Sequence, residues 1–419
     1  MTTATIHRYI EELLEETEIK DKMVFIAGSR QCGKTTIAKN WLNKHTCQEH
    51  YYNWDTQTVK KLFRQDPLFF ESEVRTKNKK SKLVFDEIHK MVKWKNYLKG
   101  CYDEFREHVD FLVTGSARLD FFQKSGDSLV GRYHLLHMFP LILPEVLNKI
   151  KSFKFAFDFN TKLNLDQLAD KAFCDRSSKD AVESLLKFSG FPEPFLKATQ
   201  RSYNLWSREY TSRILREDLR DLTRIMDVIR VEEAMELLVP TVSSTLSLNG
   251  LTEDLKCSYQ SVKTTINALE KLFVIICIRP WFKSIKYSIS KERKLYFLDW
   301  SRCPNEGGAR FENFMAIQLY AYVQILKDSG VANAELFYLR NKQKSEVDFL
   351  ITINKKPYLM IEIKVSDENP SKSILSFGRE LNCTLLIQAV QTSNVLKKRD
   401  GVWIVSADRL LLYLWHLLC

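Results

Sequence analysis

Four residues separate Gly28 from Gly33, and Lys34, Thr35 and Thr36 follow at once, behind the apolar run Met23-Val24-Phe25-Ile26-Ala27. That spacing, G-x-x-x-x-G-K-T, wraps backbone N–H groups around a phosphate chain. The two glycines allow backbone conformations that a Cβ resists, so the N–H groups of Ser29, Arg30, Gln31 and Cys32 can turn inward. A helix opening near Gly33 adds the positive end of its dipole. Lys34 is expected to reach the β- and γ-phosphates and the Thr35 hydroxyl to ligate Mg²⁺, so the ligand expected is a nucleoside triphosphate, ATP, with Mg²⁺.

A second pair of chemical groups ends another apolar run, Leu83-Val84-Phe85-Asp86-Glu87-Ile88. Asp86 is expected to hold Mg²⁺ through water, and Glu87 to orient and polarise the attacking water. Val109 to Val113 reads as a third buried strand whose tip carries Thr114 and Ser116. Each is a candidate for touching the γ-phosphate or the lytic water, with a capped turn as the alternative. Arg132, after Gly131, is read either as an arginine finger in cis or in trans, or as half of a surface ion pair.

A third constellation lies near the C-terminus. Glu346-Val347-Asp348-Phe349-Leu350-Ile351 and Tyr358-Leu359-Met360-Ile361-Glu362-Ile363-Lys364 read as a hairpin, preceded by an amphipathic helix that carries Glu312. Side chains alternate along a strand, so Glu362 and Lys364 face the same way. Asp348 and Glu362 could then hold a divalent metal, with Lys364 positioning a water against a phosphodiester. This is the D…E-x-K arrangement of restriction-like nucleases. An acidic and basic hairpin face without that chemistry is the other reading. Tyr338-Leu339-Arg340 before the hairpin and Gln388 after it are placed near the same site.

The elements that position these groups follow from patterning. Three apolar runs alternate with helical stretches, which predicts an α/β core with a parallel sheet over 1–150. Ile6, Ile10, Leu13 and Leu14 share one face of a helix ahead of it. From Lys151 to Arg230 the pattern is helical, and Arg213, Arg216, Arg220 and Arg224 recur at helical spacing among acids. They read as a solvated face, or as a stripe that meets a neighbouring subunit's nucleotide or a phosphate backbone. Residues 231–304 resemble a winged helix, with Ser258 to Leu269 as its recognition helix and Val262, Ile266 and Leu269 as its core. Tyr259, Gln260, Lys263 and Thr264 would face DNA or a protein. Residues 305–419 form the last block, an α/β nuclease-like domain.

The formal charge of +11 suits a polyanionic partner such as DNA. Nine cysteines without a C-x-x-C pair fit reduced thiols in a cytoplasm rather than a disulfide or zinc framework. Glu11, Glu12, Glu15 and Glu16 break any leader-like apolar run, and Leu410 to Cys419 is too short to span a bilayer. No membrane partner is expected.

Taken in order, the loop Gly28 to Thr36, Asp86-Glu87-Ile88-His89-Lys90, Thr114-Gly115-Ser116, Gly131-Arg132, Pro140-Leu141 and Gly190-Phe191-Pro192-Glu193-Pro194 resemble a prokaryotic AAA-type P-loop ATPase family. Cys32 is a departure, where a small aliphatic residue is more usual. The resemblance spans nearly the whole chain. It implies an ATPase core, a helical and winged-helix middle, and a C-terminal restriction-endonuclease-like domain. The expected function is ATP hydrolysis coupled to a nucleic-acid transaction, with DNA cleavage as one outcome and subunit assembly as a companion. The alternative is an ATP-operated signalling or assembly switch whose C-terminal domain binds protein.

Overall fold

A computed structural model describes residues 6–75, 80–115, 129–150, 176–219, 228–282, 293–305, 308–383 and 385–418. The chain divides into two compact units. The first is Met1–Phe139 with Lys271–Phe273; the second is Pro140–Glu270 with Val274–Cys419.

The first unit is built on five parallel strands: β1 (Met23–Gly28), β2 (Tyr51–Asn53), β3 (Ser81–Asp86), β4 (Val109–Thr114) and β5 (Tyr133–Met138). Their order is β2-β3-β4-β1-β5, so β4 lies between the two strands that carry the phosphate loop and the Asp-Glu pair. β1 is buried along its whole length, as a parallel strand covered on both faces must be. This is why it reads as an unbroken apolar run and not as an alternating one. Helices Lys34–Lys44 and Trp94–Phe105 flank the sheet. Phe85 sits among Phe70, Tyr97 and Phe111 in an aromatic cluster beneath it.

The second unit is organised by a mixed sheet of eight strands. These are β6 (Ile275–Pro280), β7 (Lys294–Phe297), β8 (Ala334–Arg340), β9 (Glu346–Ile353), β10 (Lys356–Lys364), β11 (Leu386–Val390), β12 (Leu396–Arg399) and β13 (Val402–Ser406), in the order β12-β13-β11-β10-β9-β8-β6-β7. The 20-residue helix Ala309–Asp328 is buried along most of its length. Ser247 caps a short helix, Leu248–Asp254, and the helix Tyr259–Lys271 follows. Val262, Ile266 and Leu269 are buried, while Tyr259, Gln260, Lys263 and Thr264 are exposed. The β6–β7 hairpin takes the place expected for a wing. It does not stand apart, however: Arg279 and Pro280 of β6 pair in parallel with Phe337 and Tyr338 of β8. A single sheet therefore crosses the expected boundary between 304 and 305, because backbone hydrogen bonding joins strands that a count of local patterns separates.

Gly190-Phe191-Pro192-Glu193-Pro194 has a packing role here. A Cβ on Gly190 would lie 2.4 Å from the Trp300 ring, so only glycine lets the Pro140–Leu141 segment close, with Leu141 N–H donating to Gly190 O at 2.6 Å. Phe191 packs at a tilt against Trp206 and Tyr210, with ring centroids 4.8 and 4.9 Å away. Among the described residues no helix is long and apolar enough to cross a membrane. The apolar C-terminal stretch is a buried helix, Ala407–His416.

Candidate functional site

The phosphate loop takes its shape from β1 and from its two glycines. Gly28 ends β1 opposite Met138 of β5, and a Cβ there would lie 2.2 Å from the Met138 carbonyl oxygen. Gln31 and Gly33 both adopt positive φ, 61° and 108°, which turns the loop back onto the start of the Lys34–Lys44 helix. Ser29 and Cys32 are buried, Arg30 and Gln31 half-buried, and Thr35 and Thr36 exposed on the first helical turn. The Lys34 ammonium is buried and donates to Gly28 O at 3.0 Å and Ser29 O at 2.7 Å. It stands at the mouth of the loop, where phosphate oxygens would replace those carbonyls.

Opposite the loop, the Thr35 hydroxyl donates to Asp86 Oδ2 at 2.9 Å. Asp86 is also held by Thr114 Oγ1 from β4 and by the Tyr51 hydroxyl from β2, the latter at 2.5 Å. Thr114 thus reaches this centre through the strand inserted between β1 and β3; Ser116 lies outside the described residues. Parallel pairing of Asp86 with Thr114 sets this register. Glu87 follows at φ 58°, a left-handed turn that swings its carboxylate off the strand, with its own N–H bonded to Thr114 O at 2.9 Å. Burial raises its pKa above the usual carboxylate range; the adjoining Asp86 adds to the rise and Lys34 opposes it. His89 Nε2 stands 3.4 Å from Glu87 Oε2. Thr35 and Asp86, already in contact, are the donor pair that a Mg²⁺ would join, and the ion would there offset negative charge on the phosphate oxygens.

Two residues of this site carry no motif. Tyr51 is one; burial and then Asp86 hold its hydroxyl well above the ordinary tyrosine pKa, so it stays a donor. Arg8 is the other. It is 3% exposed, and its guanidinium donates to Cys32 O at 2.9 Å and Phe139 O at 2.6 Å, bracing the loop from beneath. Its own N–H is capped by Glu11 Oε2 at 2.8 Å, but no sequence signature marks Arg8 as a brace of the loop.

Arg132 follows the ion-pair reading. It precedes β5, whose Tyr133 pairs with Met23, the first residue of β1. The phosphate loop is at the other end of β1, about 15–20 Å away at the rise of a strand. Arg132 instead forms a two-pronged pair with Asp103, at 2.7 and 3.0 Å. The parallel register puts a finger role in cis out of reach. Of the arginine stripe, Arg213 is 3.8 Å from Glu209 on an exposed face; Arg220 and Arg224 lie outside the described residues.

In the C-terminal sheet, antiparallel pairing of Ile361 with Phe349 sets Glu362 opposite Asp348 on adjoining strands. Glu362 is buried, its Oε1 is 2.8 Å from Lys364 Nζ, and Gln388 is its cross-strand neighbour on β11. Glu362 Oε2 and Gln388 Oε1 are buried without a hydrogen-bond partner. Asp348 Oδ2 accepts from Ile363 N–H at 2.8 Å. Its other oxygen faces an unexpected group, Lys294 Nζ, at 3.4 Å. Lys294 also contacts Glu346 at 2.6 Å and Glu312 at 3.2 Å, while Arg340 is 3.6 Å from Glu346. Burial first, and Asp348 next, push the Glu312 and Glu362 carboxyls up to about 7. Burial would lower the Lys294 pKa, but Glu312, Asp348 and Glu346 outweigh it and hold the ammonium charged. The residues expected for a metal thus come together, yet a cation already stands among them. Among the described residues no group of three or more His, Cys, Asp or Glu is arranged to hold a metal ion.

Residues 20–147 match the family described as AAA domain. Residues 179–303 and 307–410 match two families described as domains of unknown function, DUF8612 and DUF4143. With the sheet order and the loop geometry, this gives the first unit the fold of a P-loop ATPase. The chain is 23% identical to the uncharacterized protein MJ1544 of Methanocaldococcus jannaschii, over 96% of this chain and 88% of that one. It is 22% identical to the uncharacterized protein Rv2008c of Mycobacterium tuberculosis, over 93% and 81%. Among solved structures, the Aeropyrum pernix ORC1 protein in complex with DNA is similar at 13% identity and TM-score 0.34, over 75% of this chain and 93% of that one. AMPPCP-bound DnaA from Aquifex aeolicus is similar at 14% identity and TM-score 0.24, over 63% and 86%.

Proposed function

We propose that this chain is a Mg²⁺-dependent ATPase whose turnover drives a nucleic-acid transaction. The observation that carries the first half is the convergence of Thr35, Asp86 and Thr114 beside Lys34, with Glu87 turned out on a left-handed residue next to them. In this reading Lys34 grips the β- and γ-phosphates, and Thr35 and Asp86 hold Mg²⁺. Glu87 takes the proton of the attacking water, and Thr114 and Ser116 sense the γ-phosphate. The nucleic-acid half rests on the +11 charge and on the exposed Tyr259, Gln260, Lys263 and Thr264 of the helix after Ser258. Double-stranded DNA is the first partner to try, because a helix of this kind fits a major groove.

The C-terminal sheet is read as restriction-endonuclease-like in the order of its motifs. Cleavage through Asp348, Glu362 and Lys364 is disfavoured by the Lys294 contacts, which favour a sheet that binds without cutting. The same contacts are compatible with an ATP-operated assembly switch. Phosphate release measured with and without DNA across a salt series tests the pair of readings. Stimulation that fades as salt rises supports the DNA transaction. Turnover indifferent to DNA, together with ATP-dependent self-association, supports the switch.

A further inference from the structure

Lys294 is 1% exposed, and its ammonium lies within 3.4 Å of three carboxylates from two elements: Glu312 on the long helix, and Glu346 and Asp348 on β9. Its placement is dictated by backbone. Lys294 opens β7, pairs with Ile278 of β6, and bridges Thr245 on its other side, so its side chain can only run across the sheet face. The Tyr338 ring lies beneath the ammonium, 5.7 Å away. Tyr296, two residues on, donates its hydroxyl to Glu312 Oε1 at 2.7 Å.

An ammonium offers three donors and no acceptor, and here three carboxylates take them. Contacts of 2.6 to 3.4 Å are those of an ammonium on oxygen. A Mg²⁺ ligated by the same oxygens would need them at about 2.1 Å and would sit against a like charge. Charge is also nearly balanced: Lys294, Lys364 and Arg340 face Glu312, Glu346, Asp348 and Glu362.

We infer that the Lys294 ammonium is the resident cation of this centre, so the C-terminal sheet gathers its carboxylates without a divalent metal and does not cleave nucleic acid. The inference rests on reading that sheet as restriction-endonuclease-like. It gives the unmatched Glu362 Oε2 and Gln388 Oε1 a bound water as partner, and gives no metal to Asp348.

The test uses the full chain without nucleotide, titrated with Mn²⁺ and followed by manganese electron paramagnetic resonance and thermal melting. Wild type and Asp348→Asn should bind Mn²⁺ alike. Lys294→Met, which removes the charge and keeps the stem, should melt lower and regain stability on adding Mn²⁺. Its affinity should be about tenfold or more above wild type, and Asp348→Asn in the same chain should abolish that gain. Mn²⁺ binding by wild type that disappears in Asp348→Asn, or Asp348-dependent cleavage of DNA by wild type, would overturn the inference. If Lys294→Met does not fold, the comparison of wild type with Asp348→Asn decides alone. ATP hydrolysis measured on the same preparations separates a failure here from a failure of the ATPase reading, since Lys294 has no part in the nucleotide site.

Discussion

In the proposed reading Lys34 grips phosphate and Glu87 orients water, so substitution should separate the two roles. Lys34→Ala should weaken ATP binding roughly tenfold to a hundredfold, the size of one lost charged hydrogen bond. Glu87→Gln should bind ATP as wild type does and turn over about 10²–10⁴ times more slowly, the usual contribution of a general base. A nucleotide titration beside a phosphate-release assay reads both, and normal hydrolysis by Glu87→Gln would remove Glu87 from that role. Arg8 is predicted to matter without touching substrate. Its two bonds to Cys32 O and Phe139 O brace the loop, so Arg8→Ala should cost about 2 kcal/mol of stability and weaken ATP binding. Arg8→Lys should not restore either, because one ammonium does not reproduce a two-pronged planar donor. Thermal melting with and without ATP checks the pair. Lys34 and Glu87 were legible from spacing alone. Arg8 was not, because the carbonyls that it serves are distant in sequence.

At the scale of elements, the glycines test how closely neighbouring segments approach. Gly28→Ala would drive a Cβ into the Met138 carbonyl, so β1 and β5 must separate or the loop must shift. The expected cost is about 1–3 kcal/mol with loss of ATP binding. Unchanged melting and unchanged binding would mean that the two strands pair less closely than described. Gly190→Ala meets the Trp300 ring in the same way and should lower the melting temperature of the second unit. The two helices, the two strands and the buried Val262, Ile266 and Leu269 of this region were legible from local pattern. That β6 and β7 belong to the larger sheet was not, since strand pairing depends on partners far along the chain and not on local alternation.

For the whole molecule, the expectation is assembly through arginines supplied between copies. Arg132 cannot serve its own loop, so if it serves any site it serves a neighbour's. Specific activity should then rise with protein concentration, and mixing Lys34→Ala with Arg132→Ala chains should restore part of the turnover. Constant specific activity in a protein that light scattering finds monomeric would end that idea. The phosphate loop, the Asp-Glu pair, the parallel core and the Asp348, Glu362 and Lys364 hairpin were all determined by local sequence. Each depends on residue spacing within one strand or turn, and short-range geometry leaves few alternatives. The tertiary structure decided which end of the sheet Arg132 occupies, that Tyr51 and Thr114 share Asp86, and that Lys294 stands among the carboxylates. Those outcomes depend on strand order and register, which bring together residues such as Lys294 and Asp348 whose separation along the chain carries no signal of contact.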